Sequence, residues 1–179
     1  MISYAITDPA TLSFERLDDD LKRIAQKADM IVYRDKTNPN YEASAELFVK
    51  SAGAYRFKKV LLHTKVVLAS RLGADGIHLT SRQFGQISRA KGLGLFVVIS
   101  CHTIEEAKRA EENGADMITY SPVFVTPNKG RPLGTGALKE LKGIISLPII
   151  ALGGILTEVE IDACQRAGAS GFASIRYFQ

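Results

Sequence analysis

A chain of 179 residues, 46% of them hydrophobic, has the length of a single domain, residues 1–179, and enough apolar side chains to bury more than half of its unfolded surface. Its net charge of +4 comes from 23 Lys and Arg interspersed with 19 Asp and Glu, which argues against a nucleic-acid protein. No apolar run approaches the roughly 20 residues that cross a bilayer, the start MISYAITD lacks a signal-peptide pattern, and Cys101 and Cys164 make no disulfide framework, so a cytoplasmic protein without membrane contact is expected.

Short β-rich runs alternate with helical patterns eight times. Residues 3–7 read as the first strand, and Leu17, Leu21, Ile24 and Ala28 recur at spacings of three and four through a helix over 14–27. The second strand, 30–33, leaves through a polar loop, 34–39, into a helix over 41–54. Strands over 60–62, 76–79 and 95–99 follow, separated by helices over 66–72 and 81–90. Thr103 with Glu106 three residues on forms a capping box for the fifth helix, which Asn113-Gly114 ends. The sixth strand, 117–120, opens a long polar loop, 121–136. A helix over 137–145, a strand over 149–152, a helix over 157–166 and an eighth strand over 172–175 complete the pattern.

Strands separated by helices imply right-handed crossovers and a parallel sheet. Eight of them predict closure into a short (β/α)8 TIM barrel; an open doubly wound sheet has fewer strands, and no glycine fingerprint follows the first strand here. Only Tyr177, Phe178 and Gln179 follow Arg176, so the eighth helix is expected to be missing. The outer face of the eighth strand then needs a cover, and a homodimer is the expected remedy. Three phrases, GADGIHL, GADMITY and GASGFAS, start at Gly73, Gly114 and Gly168 and read as a reused helix-to-strand turn without chemistry of its own.

Parallel α/β proteins keep their chemistry where strands exit. The exits here offer Arg34 and Lys36, then His63 and Thr64, His78 and Thr80, Ser100 and His102, Thr126 and Lys129, Gly153-Gly154, and finally Ser174 and Arg176. The set is cationic, rich in donors and poor in acids, which points to an anionic substrate. Gly153-Gly154 lets backbone amides approach a phosphate beside the helix that starts near Thr157, with Arg176 as a second clamp; a plain turn is the simpler alternative. His102 is the best general acid/base, because imidazole both takes and returns a proton near neutral pH. His78 is assigned to the core, His63 is left open, and Cys101 is rejected as a nucleophile. No acid stands at the third and fourth exits for magnesium, and no Cys/His set fits zinc. The Gly-Thr-Gly at 134–136 reads as a loop hinge.

The phrases YAITD, YRDK, LGADGIHL, SCHTIEEAKRAEENGADMITYSPVF, PIIALGGI and GASGFASI, in this order over essentially the whole chain, resemble the thiamine phosphate synthase/TenI family. The resemblance implies that Arg34 and Lys36 meet a pyrimidine diphosphate in the synthases, that Thr126 and Lys129 lie in a substrate-contacting loop, and that Gly153, Gly154 and Ile175 bind the thiazole phosphate. It also implies an Asn-Asp pair after the third strand and an Asp after the fourth, whose two acids hold magnesium. His63-Thr64 and Gln83 stand there instead, and Arg176 replaces a usual Ser. The pattern is closer to the TenI branch, whose thiazole tautomerase moves a proton without a metal and in which His102 matches the proton-transfer histidine. The expected function is that tautomerase, acting on a small phosphorylated thiazole with no cofactor. The alternatives are the synthase, which needs Mg²⁺, and a non-catalytic binder of thiazole or thiamine phosphate.

Overall fold

Short segments rich in Ile, Val and Leu, buried on both faces, build parallel sheets. In the computed structural model, which describes residues 1–179, they form β1 (Ile2–Ile6), β2 (Met30–Tyr33), β3 (Lys59–His63), β4 (Gly76–Leu79), β5 (Phe96–Cys101), β6 (Met117–Tyr120), β7 (Ile149–Leu152) and β8 (Gly171–Ser174). Neighbours pair in sequence order, all parallel, and β8 closes on β1 with Ile2 opposite Gly171 and Ala5 opposite Ser174. Seven helices each follow their strand: α1 (Leu17–Ala25), α2 (Tyr41–Ala52), α3 (Val66–Arg71), α4 (Ile87–Gly92), α5 (Ile104–Glu112), α6 (Gly134–Lys142) and α7 (Glu158–Arg166). The expected barrel is therefore present.

Strand alternation divides the core in two. Tyr4, Ile6, Met30, Val32, Leu61, Val98, Met117, Ile150 and Ala173 fill the lumen. The intervening residues, among them Ile31, Leu62, Ile77, Ile99 and Ile118, join the helices in a larger outer layer. The helix-to-strand turns, those of the repeated phrase and the one before β2, have a structural task at the amino-terminal end. Asp29, Asp75 and Asp116 accept the backbone N–H of Ser3, Val60 and Val97 at 2.9, 2.7 and 2.8 Å, and Ser170 Oγ takes that of Ile149 at 3.3 Å. Each ties its strand to the one before it, far from the mouth.

Several expectations are corrected. The outer face of β8 needs no second subunit, because a 3₁₀ turn, Arg176–Phe178, folds back over it. Phe172 stacks on Phe178 at 5.9 Å and meets the edge of Tyr177 at 5.2 Å, and both phenylalanines are buried. Arg23 anchors this turn by donating to the carbonyl of Phe178 and to that of Thr11. The argument for a homodimer that rested on an uncovered strand falls away. β5 runs on to Cys101, so Ser100 lies within the strand, whereas β8 ends at Ser174 and leaves Ile175 just beyond it. The Gly-Thr-Gly at 134–136 is the first turn of α6 and not a hinge. At α5, Thr103 Oγ1 accepts the Glu106 amide, but the Glu106 carboxylate takes the N–H of His102; the reciprocal box forms at Thr157 and Glu160 of α7.

Candidate active site

The exits of β2 to β8 surround one mouth. Arg34, just past β2, and Lys36 share its rim with Lys129 from the β6–α6 loop. Repulsion from the Arg34 guanidinium, then burial, then Lys129 hold the Lys36 amine below the usual lysine range. The chain's ion pairs are Arg23–Asp20, Lys58–Asp29, Arg71–Glu42 and Lys91–Asp116, so none of the three rim cations has a carboxylate partner. An anion bound among them would relieve their mutual repulsion. Below them a polar cleft of about 760 Å³ opens over β2–β4, lined by Lys36, Asn38, Tyr41, His63, Thr64 and Thr80. Two acids that were not among the candidates, Asp35 and Glu42, also line it. Both are engaged: Asp35 accepts the amides of Thr37 and Asn38 at 2.9 and 3.1 Å, and Glu42 pairs with Arg71.

Across the mouth, a smaller notch of about 90 Å³ is lined by Thr126, Gly153, Gly154, Ser174, Ile175 and Arg176. The two glycines have φ of 102° and 69°, in the left-handed region. A Cβ on Gly153 would sit 2.8 Å from Pro122 Cα, and one on Gly154 would sit 2.6 Å from the carbonyl oxygen of Val125. Backbone pairing holds the loop this close: the amides of Val123 and Phe124 donate to the carbonyls of Leu152 and Gly153 at 2.9 and 3.0 Å. Chain packing therefore requires the glycines here, whatever the notch binds.

His102 lies between the two regions, exposed, at the end of β5. Its Nδ1 is 2.9 Å from the backbone oxygen of Ser121, and because a carbonyl only accepts, Nδ1 carries the hydrogen. In the neutral ring Nε2 is then a free lone pair, the form a general base requires. Pro122, next to Ser121, packs on Gly153, so the same loop carries the contacts of His102 and of the notch. Ser100 does not pair with His102. Its Oγ lies 3.0 Å from Nε2 of His78, whose Nδ1 lies 2.9 Å from the Tyr4 hydroxyl. His78 is buried, as its core assignment implied, but it faces the lumen under the site. His63 joins it there, ring centroids 6.0 Å apart. Burial first, then Arg34 and Lys36, push His63 down to about 4; burial, then His63 and Arg34, push His78 down to about 3. Both are neutral at pH 7. Burial also pushes the Cys101 thiol up to about 12, in keeping with its rejection as a nucleophile.

With this geometry in place, a family model described as thiamine monophosphate synthase matches residues 3–178. The chain belongs to that family. A thiamine-phosphate synthase of Methanoculleus marisnigri is 33% identical over 180 residues, covering 96% of this chain and 84% of the relative. One from Methanocella arvoryzae is 31% identical with the same coverage. A solved thiamine phosphate pyrophosphorylase from Pyrococcus furiosus superposes with a TM-score of 0.81 over 97% of this chain and 85% of its own, at 24% identity, a likeness of fold. These relatives carry the name of the condensing enzyme, which stood above as the alternative to the tautomerase. No helix is long and apolar enough to cross a membrane.

Within the thiamine monophosphate synthase family, the resemblance drawn from the sequence places magnesium ligands at the exits of β3 and β4. The residues there do not fit that ion. Gln83 Oε1 accepts the amide of Thr80 at 3.1 Å while its Nε2 donates to the carbonyl of Thr64 at 3.2 Å, an arrangement a carboxylate cannot reproduce. The Thr64 hydroxyl donates to the carbonyl of His63 at 2.7 Å. Magnesium is held by hard oxygens including one or two carboxylates, and no group of three or more His, Cys, Asp or Glu gathers anywhere in the chain. Thr64 has φ of 64°, a conformation that Asp and Asn adopt far more readily than a β-branched residue. The backbone there suits the acid that the resemblance implies at this position, although the side chain is different.

The sequence reading missed three residues that contact the candidates: Tyr4 and Thr119, buried in the lumen beneath the mouth, and Ser121 at the end of β6, which only barrel closure brings to His78, Ser100 and His102.

Proposed function

We infer that the protein is a metal-independent thiazole tautomerase. In this reading the notch at Gly153-Gly154 and Arg176 holds the phosphate, and Arg34, Lys36 and Lys129 receive the second anionic group, the carboxylate of the thiazole. His102 Nε2 takes a proton from a ring carbon and, as imidazolium, returns it to another carbon, so that the ring becomes aromatic with no net change in protons. The hydrogen bond to Ser121 keeps the imidazole oriented throughout. The observation that carries this reading over condensation is the Gln83 carboxamide, bonded in both directions where diphosphate chemistry would need a metal-binding acid. Without that metal, departure of pyrophosphate would lose much of its charge stabilisation.

The names of the relatives favour a second reading, the condensation of a pyrimidine diphosphate with a thiazole phosphate. The two separate in one experiment. Purified protein should isomerise the carboxylated thiazole phosphate at the same rate with or without EDTA, and His102→Asn should lower kcat by about 10²-fold or more. A full rate in that variant would remove the mechanism.

A further inference from the structure

The lumen floor holds a polar chain that proton transfer by His102 does not use. Tyr4 is fully buried and its hydroxyl lies 2.9 Å from His78 Nδ1. His78 Nε2 lies 3.0 Å from Ser100 Oγ, and the hydroxyl of Thr119, also fully buried, lies 3.4 Å from the same oxygen. No buried polar side-chain atom in the chain lacks a partner.

The directions of these bonds follow from counting hydrogens. The His78 ring is neutral at pH 7 and so carries one hydrogen. Were that hydrogen on Nδ1, the phenol hydrogen of Tyr4 would be left without an acceptor in an apolar core. Tyr4 therefore donates to Nδ1, and Nε2–H donates to Ser100. Thr119, equally enclosed, has only the Ser100 oxygen to donate to. Both lone pairs of Ser100 Oγ are then filled. Its own hydrogen has no acceptor in the chain, and Ser100 is the one member of the four that is partly open to the mouth.

We propose that Tyr4, acting through His78, and Thr119 commit Ser100 to a single role, donating a hydrogen bond to an anionic oxygen of the bound substrate. His78 and Tyr4 are positioning residues, set one and two bonds respectively behind the group that touches the ligand. Naming that oxygen as part of the thiazole carboxylate rests on the function proposed above; the bond direction does not.

Nitrogen-15 NMR of histidine-labelled protein, with His63→Gln and His102→Asn used for assignment, reads the His78 tautomer directly. Hydrogen on Nε2 is the expected result, and hydrogen on Nδ1 would overturn the proposal. In Tyr4→Phe the preference for Nε2–H should weaken. Calorimetry with the carboxylated aromatic thiazole phosphate supplies the second arm. Ser100→Ala should bind more weakly by about ten-fold or more, the lower end for one hydrogen bond to a charged group. Tyr4→Phe should lose several-fold, and the double variant should bind no more weakly than Ser100→Ala alone. Additive losses would show that Tyr4 only supports the fold. If the wild-type protein bound no thiazole phosphate, the proposed function would fail, and the tautomer would still decide the direction of the Ser100 bond.

Discussion

Lowering the pH from 7.5 to 5.0 should destabilise this barrel through its lumen histidines. In an unfolded chain a histidine takes its proton near pH 6.5, whereas in the fold His78 resists until about 3 and His63 until about 4. Between those limits the unfolded state binds more protons, so the stabilisation is complete above the unfolded value and drains away as the pH falls. For His78 at pH 5.0 the difference is about 1.5 decades of proton binding, or about 2 kcal/mol. That is a sizeable share of a typical domain's stability of about 5–15 kcal/mol. Asp20 and Asp29, held low against burial by their amide and cation partners, respond only at more acid pH and leave this window clear. Urea unfolding followed by circular dichroism at both pH values, on the wild type and on His78→Gln, measures the effect. The wild type should lose about 2 kcal/mol more than the variant. Equal losses, or an NMR titration of the His78 ring centred above pH 5, would refute the reasoning.

Three further outcomes follow from local geometry. Gly153→Ala places a methyl group 2.8 Å from Pro122 Cα at a φ of 102°, and should cost about 2 kcal/mol or more in urea unfolding, with binding of inorganic phosphate weakened as well. Thr64→Asn relieves a β-branched residue in the left-handed region and should raise stability by about 1 kcal/mol despite losing the bond to His63; a lower melting temperature would argue against strain there. Arg23→Ala releases the carbonyls of Phe178 and Thr11 and should cost about 2 kcal/mol, with faster amide exchange at residues 176–178 than in the wild type.

The order of strands was legible because β-branched runs bounded by Gly, Asn and polar loops recur at barrel spacing, and the mouth could be located because polar residues cluster just past those runs. Pairings across the lumen were not legible. Tyr4 and His78 are 74 residues apart, and nothing in YAITD or GIHL signals that their rings meet once the sheet closes. Ser100 and His102 share one strand exit, yet Ser100 turns to His78 and His102 to Ser121, which the order along the chain does not show. The cover over β8 was hidden for a different reason. A three-residue turn has no periodicity to read, and its effect depends on Phe178 stacking on Phe172. The magnesium question was visible as missing acids, while the two-way bonding of Gln83 and the left-handed backbone of Thr64 needed coordinates.

The most direct test of the account runs both reactions on one preparation: ring aromatisation of the carboxylated thiazole phosphate, and pyrophosphate release from the pyrimidine diphosphate plus thiazole phosphate, each with added Mg²⁺ and with chelator. The account predicts aromatisation at equal rates in both conditions and no pyrophosphate above background. Magnesium-dependent pyrophosphate release at a rate exceeding aromatisation would contradict it.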